Sequence, residues 1–298
     1  MRKRNKISIT SLFLVISLLH ISCENERRTP IDVDNHIEFD TITVIERHHL
    51  SGDSLNPYCE IRINFVFPIS SETMNVDTLQ RFFVESVFGV AFNELSPEEA
   101  VRKYVQRHIE NYIANALIFS EHVKENRANL QRAVISTHEE QLMNDVFFSY
   151  YENLSNEITY NQNGILAFQV KQSNKRGGFL AFYSFRNYVI DLQTGKQIME
   201  YDIFNEGFEN ALQRIIIASL LEQNGVRTID ELEELGFFGI EEIVPNGNFL
   251  ICDRGITYTF NKGEYSVDQI DAPVVFIPYR NTRTLLRRDS VAARLAEL

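Results

Sequence analysis

The alternation of hydrophobic and polar residues predicts two β-strands near the start of the folded region. Residues 37–50 alternate in their middle part, and residues 59–67 alternate strictly up to Pro68. A period of two residues is typical of a strand that buries one face. We therefore expect two half-buried strands here, the second ending at Pro68.

Helical spacing follows in two segments. Residues 74–90 carry apolar side chains three or four positions apart. Ser96 then begins a second helix as its N-cap, Pro97 occupies the first turn, and Glu99 completes a capping box. An apolar stripe at near-four-residue spacing extends this helix to about residue 123, which predicts the longest helix of the chain.

The rest of the chain changes period repeatedly and predicts a mixed fold. Asn163-Gly164 is a typical hairpin turn, and Gly225 and Gly236 are placed to end helices. The predicted elements are strands over 146–159, 165–170 and 179–192, helices over 208–223 and 228–235, strands over 249–260 and 272–278, and a helix over 280–298. Because strands and helices do not alternate regularly, we predict an α+β fold with two modules of antiparallel sheet packed with helices.

The first residues predict a secretory signal that ends in lipid attachment. Residues 2–6 carry four basic side chains, and the apolar run over 7–21 is shorter than the roughly 20 residues of a membrane-spanning helix. Residues 19–23 (Leu-His-Ile-Ser-Cys) resemble a bacterial lipobox. We expect cleavage before Cys23, acylation of Cys23, and a polar tether over 23–35. The alternative is an ordinary signal peptide followed by a chance cysteine.

The 298-residue chain is acidic, with 29 Lys and Arg against 41 Asp and Glu. Cleavage before Cys23 removes four basic residues and no acidic ones, which takes the formal net charge from −12 to −16. This excess argues against nucleic-acid partners and against a basic membrane-binding face. It favours a cationic partner, or it serves only to keep an envelope protein soluble.

Besides the acylated Cys23, the cleaved chain has two cysteines, Cys59 and Cys252. In an oxidising envelope compartment they either form a disulfide or stay as two buried thiols, since both lie in strand-like segments. Neither belongs to a CxxC or Cys/His pattern with zinc-ligand spacing. We predict no metal site and no cofactor.

The sequence lacks recognisable catalytic motifs. No histidine follows His138, and neither a G-x-S-x-G elbow nor a complete phosphate-binding loop occurs. The acidic clusters at residues 230–234 and 241–242 are typical of solvated helix faces in an acidic protein. We predict that the protein is not an enzyme, with a carboxylate site of unrecognised pattern as the enzymatic alternative.

Aromatic residues cluster on two predicted strands, around Tyr151 and around Phe179, Phe182 and Tyr183. Because side chains alternate along a strand, some of these rings face outward. Exposed aromatic rings are suited to stacking on sugars or to docking a protein. We predict that these four residues contribute to a binding surface.

The C-terminal part resembles a known domain. The matching segments are residues 188–198 (YVIDLQTGKQI), 202–204 (DIF), 248–261 (NFLICDRGITYTFN) and 275–279 (VFIPY). Together they resemble the domain of unknown function at the C-terminus of the RsiV-type anti-sigma factor, a relative of which lies beside the catalytic domain of a peptidoglycan deacetylase. The resemblance implies a small α+β fold similar to a subdomain of the heat-shock cognate ATPase. Residues 59–170 resemble the companion N-terminal module of that architecture.

This resemblance suggests how the chain is divided. We expect a signal peptide over 1–22, the tether over 23–35, an N-terminal α+β module over 36–175, a C-terminal RsiV-like domain over 176–290 and a tail over 291–298. RsiV-type ectodomains recognise lysozyme, so the resemblance also implies a binding role. The deacetylase's catalytic domain has no counterpart in this sequence.

We therefore expect a lipid-anchored, non-catalytic cell-envelope protein that binds or senses a partner. The lipid on Cys23 is expected to hold it at a membrane, on a periplasmic or cell-surface face. The partner implied by the resemblance, and suited to the negative charge, is lysozyme or another cationic envelope protein. The exposed aromatic residues favour an alternative, a peptidoglycan- or glycan-binding accessory protein.

Overall fold

The computed structural model describes residues 34–297 apart from 53, 55, 131–147, 177–180 and 268–269. Cys23, Phe179, the predicted signal peptide and the tether as far as residue 33 lie outside the described residues. Residues Asp32–Leu298 form one compact unit. No helix in the described part of the chain has both the length and the apolar composition needed to cross a bilayer.

A six-stranded mixed sheet forms the larger layer. Its strands lie side by side in chain order: β1 (Ile37–His49), β2 (Tyr58–Ser71), β3 (Tyr150–Gln162), β4 (Ile165–Arg176), β5 (Phe182–Asp191) and β6 (Lys196–Gln197). Neighbouring strands are antiparallel except β2 and β3, which are parallel. A parallel pair needs a long crossover, and α1 (Val76–Phe88) and α2 (Pro97–Leu130) lie in that connection. The expectation of purely antiparallel sheets therefore fails at this pair.

Both long helices of the crossover begin at side-chain caps. Ser96 Oγ accepts a hydrogen bond from Glu99 N at 3.2 Å, as the sequence pattern predicts, and Asn75 caps α1 in the same way. The helices pack on one face of the sheet, where the Phe83 and Phe168 rings stack with centroids 4.2 Å apart. This face forms the first of two hydrophobic cores.

A three-stranded antiparallel sheet forms the second layer. It comprises β7 (Phe249–Cys252), β8 (Gly255–Thr259) and β9 (Val274–Pro278). The helices of this part are α3 (Glu200–Ile203), α4 (Glu209–Asn224), α5 (Ile229–Glu234), α6 (Tyr279–Thr282) and α7 (Val291–Leu295). β7 packs against β3, β4 and β5, and α4 packs against β9. The second core therefore joins Ile165, Ala167 and Val189 of the large sheet to the small sheet.

Asparagine side chains replace missing strand partners at two places. Past the end of the β2–β3 pairing, Asn156 accepts from Val66 N at 2.9 Å and donates to Val66 O at 2.8 Å. At the outer edge of β5, Asn248 accepts from Asn187 N at 2.7 Å and donates to Phe185 O at 2.9 Å. Because buried backbone groups without partners are costly, these amides complete the sheet where a neighbouring strand is missing.

Strand β2 continues through Pro68, where the sequence predicted its end. A bulge between Glu38 and Phe39 lies opposite this point in β1, and the pairing with β3 has already ended. Proline has no N–H to donate and is tolerated at bulges and unpaired strand edges. Gln80 Nε2 donates to Pro68 O at 2.8 Å, so the carbonyl also has a partner. The strand therefore runs on to Ser71.

The predicted α+β class is confirmed, whereas the predicted helix over 280–298 is wrong. As far as residue 297, where the described residues end, only α6 and α7 form, because the intervening segment bonds to residues 203–205 instead. Arg287 N donates to Ile203 O, and Asn205 N donates to Leu285 O, both at 2.8 Å. The expected module boundary at 175/176 falls before the last residue of β4, a strand that pairs with β5 within one sheet. The division into two modules stays a prediction.

Candidate functional site

The large sheet has a second face that is covered over only part of its area. Residues 61, 63, 65 and 67 of β2 enter the core beneath α1, so the alternate residues and their paired neighbours lie on the other side. The small sheet covers that side around Ala167. The uncovered part, termed the open face, carries Thr43, Ile45, Arg47, His49, Tyr58, Glu60, Arg62, Asn64, Tyr151, Asn153, Ser155, Glu157, Lys171, Ser173 and Lys175.

Glu60 holds two arginines on the open face. Arg47 Nε donates to Glu60 Oε2 and Arg62 Nε donates to Glu60 Oε1, both at 2.8 Å. The Glu60 side chain is 7% exposed, whereas those of Arg47 and Arg62 are 48% and 56% exposed. The hydrogen bond from Arg47 is the main cause that lowers the pKa of Glu60, and the bond from Arg62 adds to it. One buried carboxylate thus fixes two guanidinium groups that remain open to solvent.

Two tyrosines lie beside these arginines. The Arg47 guanidinium lies 4.3 Å from the centre of the Tyr58 ring, and Tyr151 OH donates to Tyr58 OH at 2.8 Å. The two rings meet edge to face with centroids 5.5 Å apart. Burial, together with the bond to Tyr58, raises the pKa of Tyr151 to about 12, so its phenol is neutral at physiological pH. The two rings therefore hold each other in place, and Tyr151 remains 36% exposed.

A cavity lies where the open face meets the small sheet. It has a volume of about 300 Å³, and we term it the seam pocket; its lining includes Gln169, Tyr183, Phe185, Lys262, Asp271 and Val274. Lys262 Nζ lies 5.1 Å from the centre of the Tyr183 ring. Apolar side chains, an ammonium group, a carboxylate and an amide therefore surround one small volume.

The predicted binding residues are brought together only in part. Tyr151 and Tyr183 lie on the same face of the sheet, with β4 between their strands. Phe182 is 57% exposed, but it follows the alternation of β5 to the opposite face and does not share this surface. Phe179 lies outside the described residues. Of the four predicted aromatic residues, therefore, only Tyr151 and Tyr183 share a surface in the part of the chain that the structure describes.

Sequence reasoning missed Arg47, Tyr58, Arg62 and Lys262. The first three occupy polar positions of strands whose apolar positions were recognised, so the same alternation places them on the outer face. Lys262 follows β8 in a loop of the small sheet, and no local pattern relates it to Tyr183.

A buried carboxylate lies on the helix-covered face of the same sheet. Glu152 accepts from Tyr104 OH at 2.5 Å and from Gln172 Nε2 at 3.1 Å, and His108 Nδ1 lies 3.0 Å from its second oxygen. An ionised carboxylate only accepts, so His108 Nδ1 carries the proton in this contact. Burial acts to raise the pKa of Glu152, but the bonds from His108 and Tyr104 outweigh it and lower the pKa. The group ties α2 to β3 and β4.

The remaining candidate residues lie apart from the open face. Cys59 is buried in β2 and Cys252 is buried at the end of β7, in different sheets, with no disulfide between them. Burial raises the pKa of the Cys59 thiol to about 11. The carboxylates at 230–234 and 241–242 are exposed. Within the described ranges, no three His, Cys, Asp or Glu side chains are grouped as metal ligands would be.

These features define an α+β protein in which a small antiparallel sheet covers part of one face of a large mixed sheet. Residues 201–280 match the family model described as protein of unknown function (DUF3298). This match covers 80 of the 298 residues. No curated protein matches the chain.

Two solved structures share its fold. A member of the DUF3298 family (BF2082) from Bacteroides fragilis NCTC 9343 is similar with a TM-score of 0.77 and 22% identity, covering 89% of this chain and 100% of that chain. A DUF3298 family protein (PA4972) from Pseudomonas aeruginosa PAO1 is similar with a TM-score of 0.52 and 11% identity, covering 84% and 95% of the two chains. The architecture of this protein is thus that of DUF3298 structures over most of its length.

Proposed function

We propose that the protein is a non-catalytic binding protein of the bacterial cell envelope, held at a membrane by a lipid on Cys23, and that its open face binds the glycan strands of peptidoglycan. The observation that carries the proposal is the placement of two fixed guanidinium groups beside the half-buried Tyr58 and the exposed Tyr151 on one face of the sheet. The signal sequence and the resemblance to RsiV-type ectodomains support the envelope location.

The chemistry of the open face suits a saccharide. Aromatic rings present large amphipathic surfaces at little cost in conformational entropy, and neutral polar side chains match sugar hydroxyl and amide groups. Besides Tyr151, the face carries amides that are already held in place: Thr43 Oγ1 donates to Asn64 Oδ1 at 3.1 Å, and Asn153 Nδ2 donates to Ser173 Oγ at 3.3 Å. Groups oriented before binding lose less entropy on binding.

The charge of the open face favours an anionic ligand, although the whole chain is acidic. The basic residues there are Arg47, Arg62, Lys171 and Lys175, and the acidic ones are Glu60 and Glu157. Peptidoglycan carries carboxylates on its sugars and stem peptides, so its charge complements this face. A cationic protein such as lysozyme meets like charges here, and we therefore place the glycan ahead of it as the ligand.

The binding proposal predicts the effect of one aromatic substitution. We expect Tyr151→Ala to weaken binding of the full chain, purified in detergent, to insoluble peptidoglycan by about fivefold, because one aromatic contact is lost. Co-sedimentation across a range of peptidoglycan concentrations measures this. Tyr201→Ala is the matched control, since Tyr201 is 65% exposed on α3 and lies off the sheet.

Two outcomes contradict the binding proposal. One is equal retention of wild type and Tyr151→Ala by peptidoglycan. The other is absence of retention by peptidoglycan together with salt-sensitive binding to immobilised lysozyme, which identifies the cationic protein as the partner instead.

The anchor is tested separately. Cells grown with an alkyne-bearing fatty acid are expected to label the wild-type protein but not Cys23→Ser, and the variant is expected to leave the membrane fraction. Cys59→Ser serves as the control, because Cys59 is buried in β2 and is expected to leave the label in place. Persistent labelling of Cys23→Ser would show that the lipid is attached elsewhere.

A further inference from the structure

We infer that the seam pocket is a binding site for a single sugar residue that carries a carboxylate group. The inference rests on the proposed glycan-binding function and adds to it a subsite and a class of ligand.

The size and position of the seam pocket fit one sugar residue. Its volume of about 300 Å³ lies at the small end of the range for ligand pockets, which suits a single ring rather than an oligosaccharide. Tyr183 contributes its ring from β5, and Gln169 pairs in register with Glu157 at the margin of the open face. A sugar bound on the open face thus lies close to the entrance of the pocket.

The ammonium group of Lys262 favours a ligand with a negative charge. Among the described residues, no carboxylate oxygen lies within 4.0 Å of its ammonium nitrogen. The Tyr183 ring faces the ammonium group at 5.1 Å and limits its positions. An ammonium group that is half-buried and has no ion-pair partner here pairs favourably with a ligand carboxylate.

The other lining groups require more of the ligand than a negative charge. The Asp271 carboxylate accepts hydrogen bonds from hydroxyl groups and repels simple anions. Gln169 Nε2 donates to Asn187 Oδ1 at 2.8 Å, which fixes the amide and leaves its carbonyl oxygen as a further acceptor. Phe185, Val274 and the Tyr183 ring supply apolar contact for the carbon skeleton. A polyhydroxylated ring with one carboxylate satisfies all of these groups.

Calorimetric titration of the full chain in detergent tests the inference. The probes are N-acetylmuramic acid, which carries a carboxylate, and N-acetylglucosamine, its neutral counterpart. We expect the acidic sugar to bind about tenfold more tightly, and Lys262→Met to abolish that preference. Lys103→Met, which removes the same charge from an exposed position of α2, is expected to retain it. Asp271→Asn is expected to weaken binding of both sugars while the preference remains.

Each outcome bears on the pocket separately from the open face. Equal binding of the two sugars by wild type, or a preserved preference in Lys262→Met, overturns the seam-pocket assignment. Co-sedimentation with peptidoglycan that depends on Tyr151 then still supports the proposed function. Loss of sugar binding and of peptidoglycan retention together overturns both. Because Lys262 makes no ion pair among the described residues, thermal melting of Lys262→Met is expected to match wild type, which excludes unfolding as the cause.

Discussion

Replacing Glu152 with alanine is expected to lower the free energy of unfolding by about 3 kcal/mol. The substitution leaves Tyr104 and Gln172 without an acceptor and His108 without its carboxylate, in a region where Glu152 is only 4% exposed. The penalty is large because buried donors that lose their partner have no water to replace it. Urea denaturation followed by circular dichroism measures the change.

Glu157→Ala is the matched control for this substitution. Glu157 lies on the same strand, but its carboxylate is 54% exposed and pairs with Lys171 at the surface at 2.8 Å. Exposed ion pairs contribute about 1 kcal/mol or less. If Glu157→Ala lowered the free energy of unfolding as much as Glu152→Ala, the buried hydrogen bonds of Glu152 would contribute no more to stability than an exposed ion pair does.

The contribution of Glu152 also depends on pH. Its pKa in the folded protein is below the ordinary value of 4.5, so the stabilisation is fully present above that value and is lost as the pH falls through the folded-state pKa. The difference in stability between wild type and Glu152→Ala is therefore expected to be constant near neutral pH and to shrink in acid below pH 4.5. A difference that stays constant on acidification contradicts the ionised state assigned to Glu152.

Asn248→Ala is expected to destabilise the protein by about 3 kcal/mol, because Asn187 N and Phe185 O lose their partner at once and Thr259 O keeps only its bond from Asn246. The Asn248 side chain accepts from Asn187 N and donates to Phe185 O and to Thr259 O, the last at 2.8 Å. These bonds join the edge of the large sheet to β8. Thermal and urea denaturation of the variant measure the loss.

Two further variants identify the cause of this loss. Asn153→Ala removes an exposed amide of the open face with one bond at 3.3 Å, and its effect is expected to stay within about 0.5 kcal/mol. Asn248→Asp keeps an acceptor for Asn187 N but places a carboxylate against two carbonyl oxygens, so it is not expected to restore stability. Wild-type stability in Asn248→Asp would assign the effect of Asn248→Ala to packing alone.

The features that sequence predicted correctly depend on a few neighbouring residues. Ser96 caps α2 through a donor three positions away, and Asn163 and Gly164 form the hairpin turn with φ of 57° and 77°. Gly225 ends α4 in the left-handed conformation. Each of these signals is contained in one turn of chain, so no knowledge of the tertiary fold is needed to recognise it.

The features that sequence did not predict depend on distant partners. The parallel pairing of β2 with β3 spans the whole helical crossover, and the bonds of Arg287 and Asn205 override the helical pattern near the C-terminus. In the candidate site, too, local features could be predicted from the sequence and long-range contacts could not. Alternation indicates that Tyr151 and Tyr183 face outward, but only the folded chain places Lys262 beside Tyr183.

The asparagine bonds at the edge of β5 have a consequence for behaviour in a crowded setting. Phe185 N is bound to Asn261 Oδ1 at 2.8 Å, and Phe185 O and Asn187 N are bound to Asn248. An outer strand with unbound backbone groups can pair with the same strand of another molecule and start fibrous self-association. In the middle of β5 these backbone groups already have hydrogen-bond partners. If many copies are tethered to one membrane, this part of the edge is therefore not available for strand pairing between neighbouring molecules.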